Sequence, residues 1–442
     1  MTTTQLTIFD ETKARKNGRA NKLDPQDRAF HDWYRFVLSY PPHLVRDYIK
    51  DFQLDGGTTI LDPFCGTGTT LIESKLNGIA SIGTEANTFA HFASSVKIDW
   101  DIDPDLLCDQ SRQAAKEARE VLSKQGIDDD IPYEGDIDVL QLRQLSEEEN
   151  KLILTGSVSP LPLHKTLVLL DCLKRFGNEE SYRHQLLALA QTLVYTASNL
   201  RFGPEVGVGK PKQDIPVISG WLSEIEKMAQ DLRNISGKQY PSAQAQFADA
   251  RRMNEILLPG SIDAVITSPP YPNEKDYTRI TRLESVVLGF ISTKADLRLL
   301  KKTLVRSNTR NVYKGDDDDL WIAKHPEIQR IADSIEKRRV ELGKTSGFEK
   351  LYGKVTKLYF GGMARHLESL KPALKPNAQL AYVVGDQASY LRVMIRTGQL
   401  LGEIAQALGY EVVRIDLFRT RLATATKEQL REEVVILKYK GH

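Results

Sequence analysis

Short apolar runs alternating with amphipathic stretches organise this chain. Thr58-Thr59-Ile60-Leu61 reads as a buried strand; a glycine-spaced turn follows, then a helix from Leu71 to Asn77 that Gly78 stops. A second strand covers Ile79 to Ile82 and ends near Glu85. From Trp100 to Gln244 the pattern is mostly helical. Asp103-Pro104 forms a cap with proline at the first helical position, Gly126 closes that helix, and further helical patterns cover Leu163 to Phe176, Tyr182 to Ala197 and Trp221 to Leu232. Strand signals return at Asp263 to Thr267, Leu380 to Val384, Glu411 to Leu417 and Glu433 to Leu437, with an apolar helix around Leu391 to Leu408. Helices spaced between strands imply a largely parallel sheet covered by helices. The last two strands lie too close for a crossover helix, so they should form an antiparallel closing pair.

The resulting division is one core in three pieces, residues 26–100, 245–271 and 355–442. A mainly helical insertion, 101–244, and a basic insertion, 272–354, interrupt it, and a flexible basic arm, 1–25, precedes it. At 442 residues with 41% hydrophobic content the chain can supply a substantial core. No run approaches a membrane span and the polar start does not read as a signal peptide, so a cytoplasmic protein with no membrane partner is expected. Cys65, Cys108 and Cys172 form no metal-ligand pair and no disulfide framework, and no metal is expected. With a net charge of +1, any nucleic-acid partner has to be met by local patches.

Two peptides carry the candidate chemistry. Asp263 to Thr267 runs into Ser268-Pro269-Pro270-Tyr271, where consecutive prolines hold the chain extended and leave carbonyls free to accept. Ser268 Oγ and the Pro269 carbonyl could take the two N–H groups of a nucleobase amine while Tyr271 offers a stacking face. Pro-Pro alone would equally suit an ordinary turn. The second peptide is Asp62-Pro63-Phe64-Cys65-Gly66-Thr67-Gly68-Thr69-Thr70, a nucleotide-type strand–turn–helix unit. Gly66 and Gly68 allow close ligand approach, and Thr69 or Thr70 can cap the helix. Glu85 stands 23 positions after Asp62, near the spacing of about 20 at which an acid meets ribose hydroxyls. A nicotinamide site is the weaker inference, because Gly-x-Gly-x-x-Gly would need glycine where Leu71 stands.

Together these motifs resemble the S-adenosylmethionine-dependent amino methyltransferases of DNA. The resemblance implies a Rossmann-like class I methyltransferase sheet. Asp62, Pro63, Phe64, Cys65, Gly66, Gly68, Thr69 and Thr70 match the family's cofactor loop, Glu85 its ribose-binding acid, and Asp249 an acid beside the cofactor's adenine amine. Ser268, Pro269, Pro270 and Tyr271 match its catalytic tetrapeptide. Trp33-Tyr34-Arg35-Phe36 and Tyr40-Pro41-Pro42-His43-Leu44 resemble its N-terminal element, which closes over the methionine end of the cofactor. The expected reaction is methyl transfer to the amine of a base flipped from double-stranded DNA, with a restriction endonuclease as a possible partner. Serine at the head of the tetrapeptide favours cytosine N4; adenine N6, an RNA substrate, and a non-catalytic DNA-binding relative are the alternatives.

DNA contacts are expected from basic loops. Ten basic residues stand against four acids from Pro272 to Lys314, and Arg306, Asn308 and Arg310 follow the catalytic loop in sequence. Arg201 and Lys210 sit in a glycine- and proline-broken loop that could bind or merely connect. The acidic run Asp316 to Asp319 reads as a solvated loop.

Overall fold

A computed structural model describes residues 24–36, 38–135, 138–175, 177, 180–203, 205–273, 275–422 and 429–441. The basic arm expected over 1–25 therefore lies, apart from its last two residues, outside the described residues. Nine strands are described: β1 (Thr59–Asp62), β2 (Ala80–Glu85), β3 (Leu200–Phe202), β4 (Val206–Val208), β5 (Ala243–Phe247), β6 (Ile262–Thr267), β7 (Leu374–Gly385), β8 (Glu411–Leu422) and β9 (Gln429–Lys438). Seven form one sheet in the order β5-β2-β1-β6-β7-β9-β8. The first five run parallel, and β9 lies antiparallel between β7 and β8, as the short spacing of the last two strands implied. This is the mostly parallel α/β sheet of a methyltransferase-like fold.

The helices are α1 (Pro42–Asp51), α2 (Thr69–Leu76), α3 (Thr88–Lys97), α4 (Pro104–Ser123), α5 (Glu147–Asn150), α6 (Pro160–Arg175), α7 (Tyr182–Thr192) and α8 (Ile218–Ile235). After the Ser268–Tyr271 peptide come α9 (Tyr277–Ile280), α10 (Arg282–Val287), α11 (Lys294–Thr303), α12 (Pro326–Glu341), α13 (Tyr352–Leu370) and α14 (Thr397–Ala407). Alternation along the strands sorts the core onto two faces. Ile60, Ala264, Ile266, Ala381 and Val383 pack with Leu44, Val45 and Ile49 of α1. Their neighbours Leu61, Val265, Leu380, Tyr382 and Val384 pack with α13 and α14 on the other face. Helices α4, α6, α7 and α8 of the insertion share a further cluster with α2 and α3.

Two expectations need correction. The broken loop around Arg201 contains a small hairpin, with Leu200 opposite Val208 and Phe202 opposite Val206; its strands of three residues are too short to give a periodic signal. The acidic run is not simply solvated. Asp318 is 2% exposed, because its carboxylate pairs with Arg251 and Arg365. Among the described residues, no helix is long and apolar enough to cross a membrane.

Candidate functional site

Adjacent parallel strands deliver their carboxyl ends to the same edge of a sheet. Strands β1 and β6 are such neighbours, with Ile60 opposite Ala264 and Leu61 opposite Val265. The glycine turn and the Ser268–Tyr271 peptide therefore emerge side by side, and β2 brings Glu85 to the same edge. Pro63, Phe64, Cys65, Gly66, Thr69, Glu85, Ser268, Pro269, Pro270 and Tyr271 all line one cavity of about 540 Å³.

Asp62, Gly68 and Thr70 stand behind that wall. Asp62 is fully buried and fastens the two peptides together: Oδ1 accepts from Thr267 Oγ1 (2.6 Å) and the Phe64 N–H (3.1 Å), Oδ2 from Thr70 Oγ1 (2.6 Å). Burial raises its carboxyl above the usual range, against the pull of these hydrogen bonds. The turn needs its glycines: Gly66 and Gly68 have φ of +52° and +90°, and a Cβ on Gly66 would meet nothing within 4 Å. Gly68, and not Thr69 or Thr70 as expected, is the N-cap of α2, and Thr70 Oγ1 is turned instead to Asp62 and the Ile266 carbonyl.

Glu85 is held from both sides. Its Oε2 accepts from the Gly66 N–H (2.9 Å) and its Oε1 from the Asn87 N–H (2.7 Å). Burial lifts its carboxyl to about 7, although those N–H groups favour the ionised form. Asn87 begins α3, its Oδ1 accepting from the N–H groups of Phe89 and Ala90. From the N-terminal element, Tyr34, Phe36, Tyr40 and Pro41 also line the cavity. Tyr40 donates to Asp62 Oδ2 (3.2 Å) and also meets Thr70 Oγ1. Tyr34 donates to Glu284 of α10, a fully buried carboxyl that desolvation raises to about 7.

At the serine–proline corner Ser268 Oγ donates to the Val383 carbonyl (3.2 Å), and the Tyr271 N–H donates to Tyr277 Oη (3.2 Å). The Tyr271 ring lies against Gly385 at the end of β7, where a Cβ would stand 2.9 Å from Cε2. Burial, then the nearby Glu432 carboxylate, raises the Tyr271 phenol well above its ordinary value, so the side chain is neutral at physiological pH. Cys65 is buried, and desolvation keeps its thiol protonated.

A family model described as DNA methylase, of the N6 and N4 type, matches residues 6–94. The type II methyltransferase M.BsoBI of Geobacillus stearothermophilus is 24% identical over 452 residues, covering 95% of this chain and 86% of the relative. The type II methyltransferase M.AvaI of Nostoc sp. (strain PCC 7120) is 23% identical, covering 93% and 84%. This chain is a relative of the amino DNA methyltransferases.

Other expected site residues lie elsewhere in this amino methyltransferase relative. Asp249 stands between two cavity-lining residues, Ala248 and Ala250, but both its oxygens bind Arg251. Arg306 is 3% exposed, its guanidinium on Asp316 and on the Lys301, Lys302 and Leu304 carbonyls. Asn308 is fully buried, with Nδ2 on the Lys275 carbonyl. The structure thus gives both side chains internal partners and keeps them from the surface, whereas Arg310, Arg201 and Lys210 are exposed. Sequence reasoning missed Asn273, Lys275, Arg419, Arg421 and Glu432, which also line the cavity. Only Asn273 and Lys275, just after the tetrapeptide, carried a signal in their position. Arg419, Arg421 and Glu432 depend on long-range strand pairing.

Proposed function

We propose that this protein transfers a methyl group from S-adenosylmethionine to the exocyclic amine of a base flipped out of double-stranded DNA, with cytosine N4 the favoured target. The observation that carries the reading is the opening of the glycine turn, Glu85 and the serine–proline corner into a single cavity. The residues present suit the donor. A ribose would meet the Glu85 carboxylate, the Gly66 backbone leaves room for close approach, and Phe64 and Asn87 line the same cavity. When bound, the donor supplies a methyl group made electrophilic by its sulfonium.

The chain's own groups have to position the amine and exclude water; no covalent intermediate is needed. Ser268 Oγ and the Pro269 carbonyl accept the two amine N–H groups, which aims the nitrogen lone pair at the methyl and stabilises positive charge as it develops. Tyr271, neutral and braced by Gly385, stacks on the flipped base. The buried Cys65 thiol is poorly suited to nucleophilic catalysis. Serine at position 268 supports cytosine N4, with adenine N6 as the alternative. A cognate restriction endonuclease is the partner this reading implies.

The test is transfer of radiolabelled methyl from S-adenosylmethionine to duplex DNA, transfer RNA and protein, followed by nuclease digestion and mass spectrometry of the product. Label in DNA recovered as N4-methylcytosine supports the proposal. Label only in RNA or protein, or none in any acceptor, refutes it.

A further inference from the structure

We propose that Arg419, braced by Glu432, reads the flipped base and selects cytosine; the inference rests on the DNA-amine reading above. Strand β8 carries a bulge at this point. Leu417 pairs with Glu433 and Arg419 with Glu432, so Phe418 is an extra residue without a partner on β9. A regular strand sends consecutive side chains to opposite faces, and a bulge re-aims them. Phe418 and Arg419 are neighbours in sequence, yet both line the cavity.

The arginine is held for a ligand. Its Nε donates to Glu432 Oε2, and Glu432 is 7% exposed, whereas the Arg419 side chain keeps 28% exposure. Among the described residues, Glu432 is its hydrogen-bond partner, which leaves the terminal N–H groups of the fork unclaimed. Glu432 also stands near the serine–proline corner. A Cβ on Gly385 would meet Tyr271 Cε2 at 2.9 Å and Glu432 Cγ at 3.3 Å, so the tyrosine ring and the glutamate stem flank one glycine.

Base chemistry then decides the selectivity. Along its pairing edge cytosine presents the amine, ring N3 and O2, so two acceptors follow the amine. Adenine presents the amine, ring N1 and a C–H, which leaves one arginine donor facing carbon. A guanidinium fork suits two adjacent acceptors and stays charged at every working pH. A site built to donate to such acceptors rejects the analogue that lacks one.

Methylation sites are first mapped on plasmid DNA treated with the enzyme, which fixes the target duplex. Then kcat/KM is measured for the wild type and Arg419→Met on duplexes carrying cytosine or 3-deazacytosine at the target, the analogue having C–H in place of N3. The analogue should cost the wild type about 100-fold, Arg419→Met should cost a similar factor on cytosine, and the two together should cost little more than either alone. Binding of S-adenosylmethionine, by calorimetry, should be unchanged in the variant. Glu432 acts as a positioning residue, so Glu432→Gln, which keeps an acceptor for Nε, should retain activity that Glu432→Ala loses. Equal methylation of cytosine and 3-deazacytosine by the wild type overturns the inference without recourse to a variant. Additive losses, or methyladenine as the mapped product, also overturn it. If the wild type methylates no DNA, the proposed function falls first and takes this inference with it.

Discussion

At the scale of single residues, Glu85 links titration to ligand binding. Its carboxyl is lifted to about 7 by burial, and only the ionised form offers all its lone pairs to ribose hydroxyls. Affinity for S-adenosylmethionine should therefore rise between pH 6 and pH 8. Calorimetry of Glu85→Gln should show weaker binding with that rise abolished. Because the folded pKa is raised, the fold holds this proton more tightly than the unfolded chain, and the group's contribution to stability is lost as pH climbs toward 7. Tyr271→Ala should lower kcat by roughly 5- to 150-fold, the range expected for a lost stacking platform, with donor affinity intact. Gly385→Ala, which would force a Cβ to 2.9 Å from the Tyr271 ring, should reproduce much of that loss; retained turnover in both variants would refute the stacking role. At this scale the sequence was readable where the information is local. A glycine turn after an apolar strand, or two prolines after another, constrains the backbone whatever surrounds it. Arg306 and Asn308 were misread because surface loops and buried ion pairs use the same residue types. Only the fold reveals that Asp316, ten positions on, takes the guanidinium.

At the scale of elements, the strand order could not be read from the chain even though the strands themselves could. Periodicity marks β1, β6 and β7, but the neighbouring of β1 and β6, which brings the two peptides together, joins segments about two hundred residues apart. The bulges of β8 were equally hidden, because an extra residue in a strand has no composition of its own. Ion pairs between elements are the other long-range device. Arg251 bonds Asp249 at the end of β5 and Asp318 ahead of α12, and all three side chains are at most 15% exposed. Removing the arginine leaves two poorly solvated carboxylates, with Arg365 remaining only for Asp318. Arg251→Met should lower stability by about 3 kcal/mol in urea denaturation. Because Ala248 and Ala250 line the cavity beside this pair, the variant should also weaken donor binding. A change below about 0.5 kcal/mol would mean that the pair is solvated and incidental.

At the scale of the whole molecule, a net charge of +1 means that attraction to DNA cannot come from a uniform field. It has to come from charges not already neutralised inside the fold. Much of the basic stretch after the Ser268–Tyr271 peptide is spent internally: Lys301 pairs with Asp276 and Arg306 with Asp316, while Arg282 bonds the carbonyl and hydroxyl of Thr278. Arg201 within β3 and Lys210 just after β4 are exposed at the hairpin, Arg310 and Arg421 are also exposed, and Lys275 lines the cavity. If these five meet phosphates, log K for duplex binding should fall with log salt at a slope of roughly −4 to −5. Arg201→Ala with Lys210→Ala should make that slope shallower by about 2 while leaving S-adenosylmethionine binding unchanged. Arg306→Ala should instead leave the slope alone and lower the unfolding midpoint, because Asp316 loses its buried partner. Filter binding across a salt series separates the two behaviours. An unaltered slope in the Arg201 and Lys210 double variant would remove the hairpin from the DNA face.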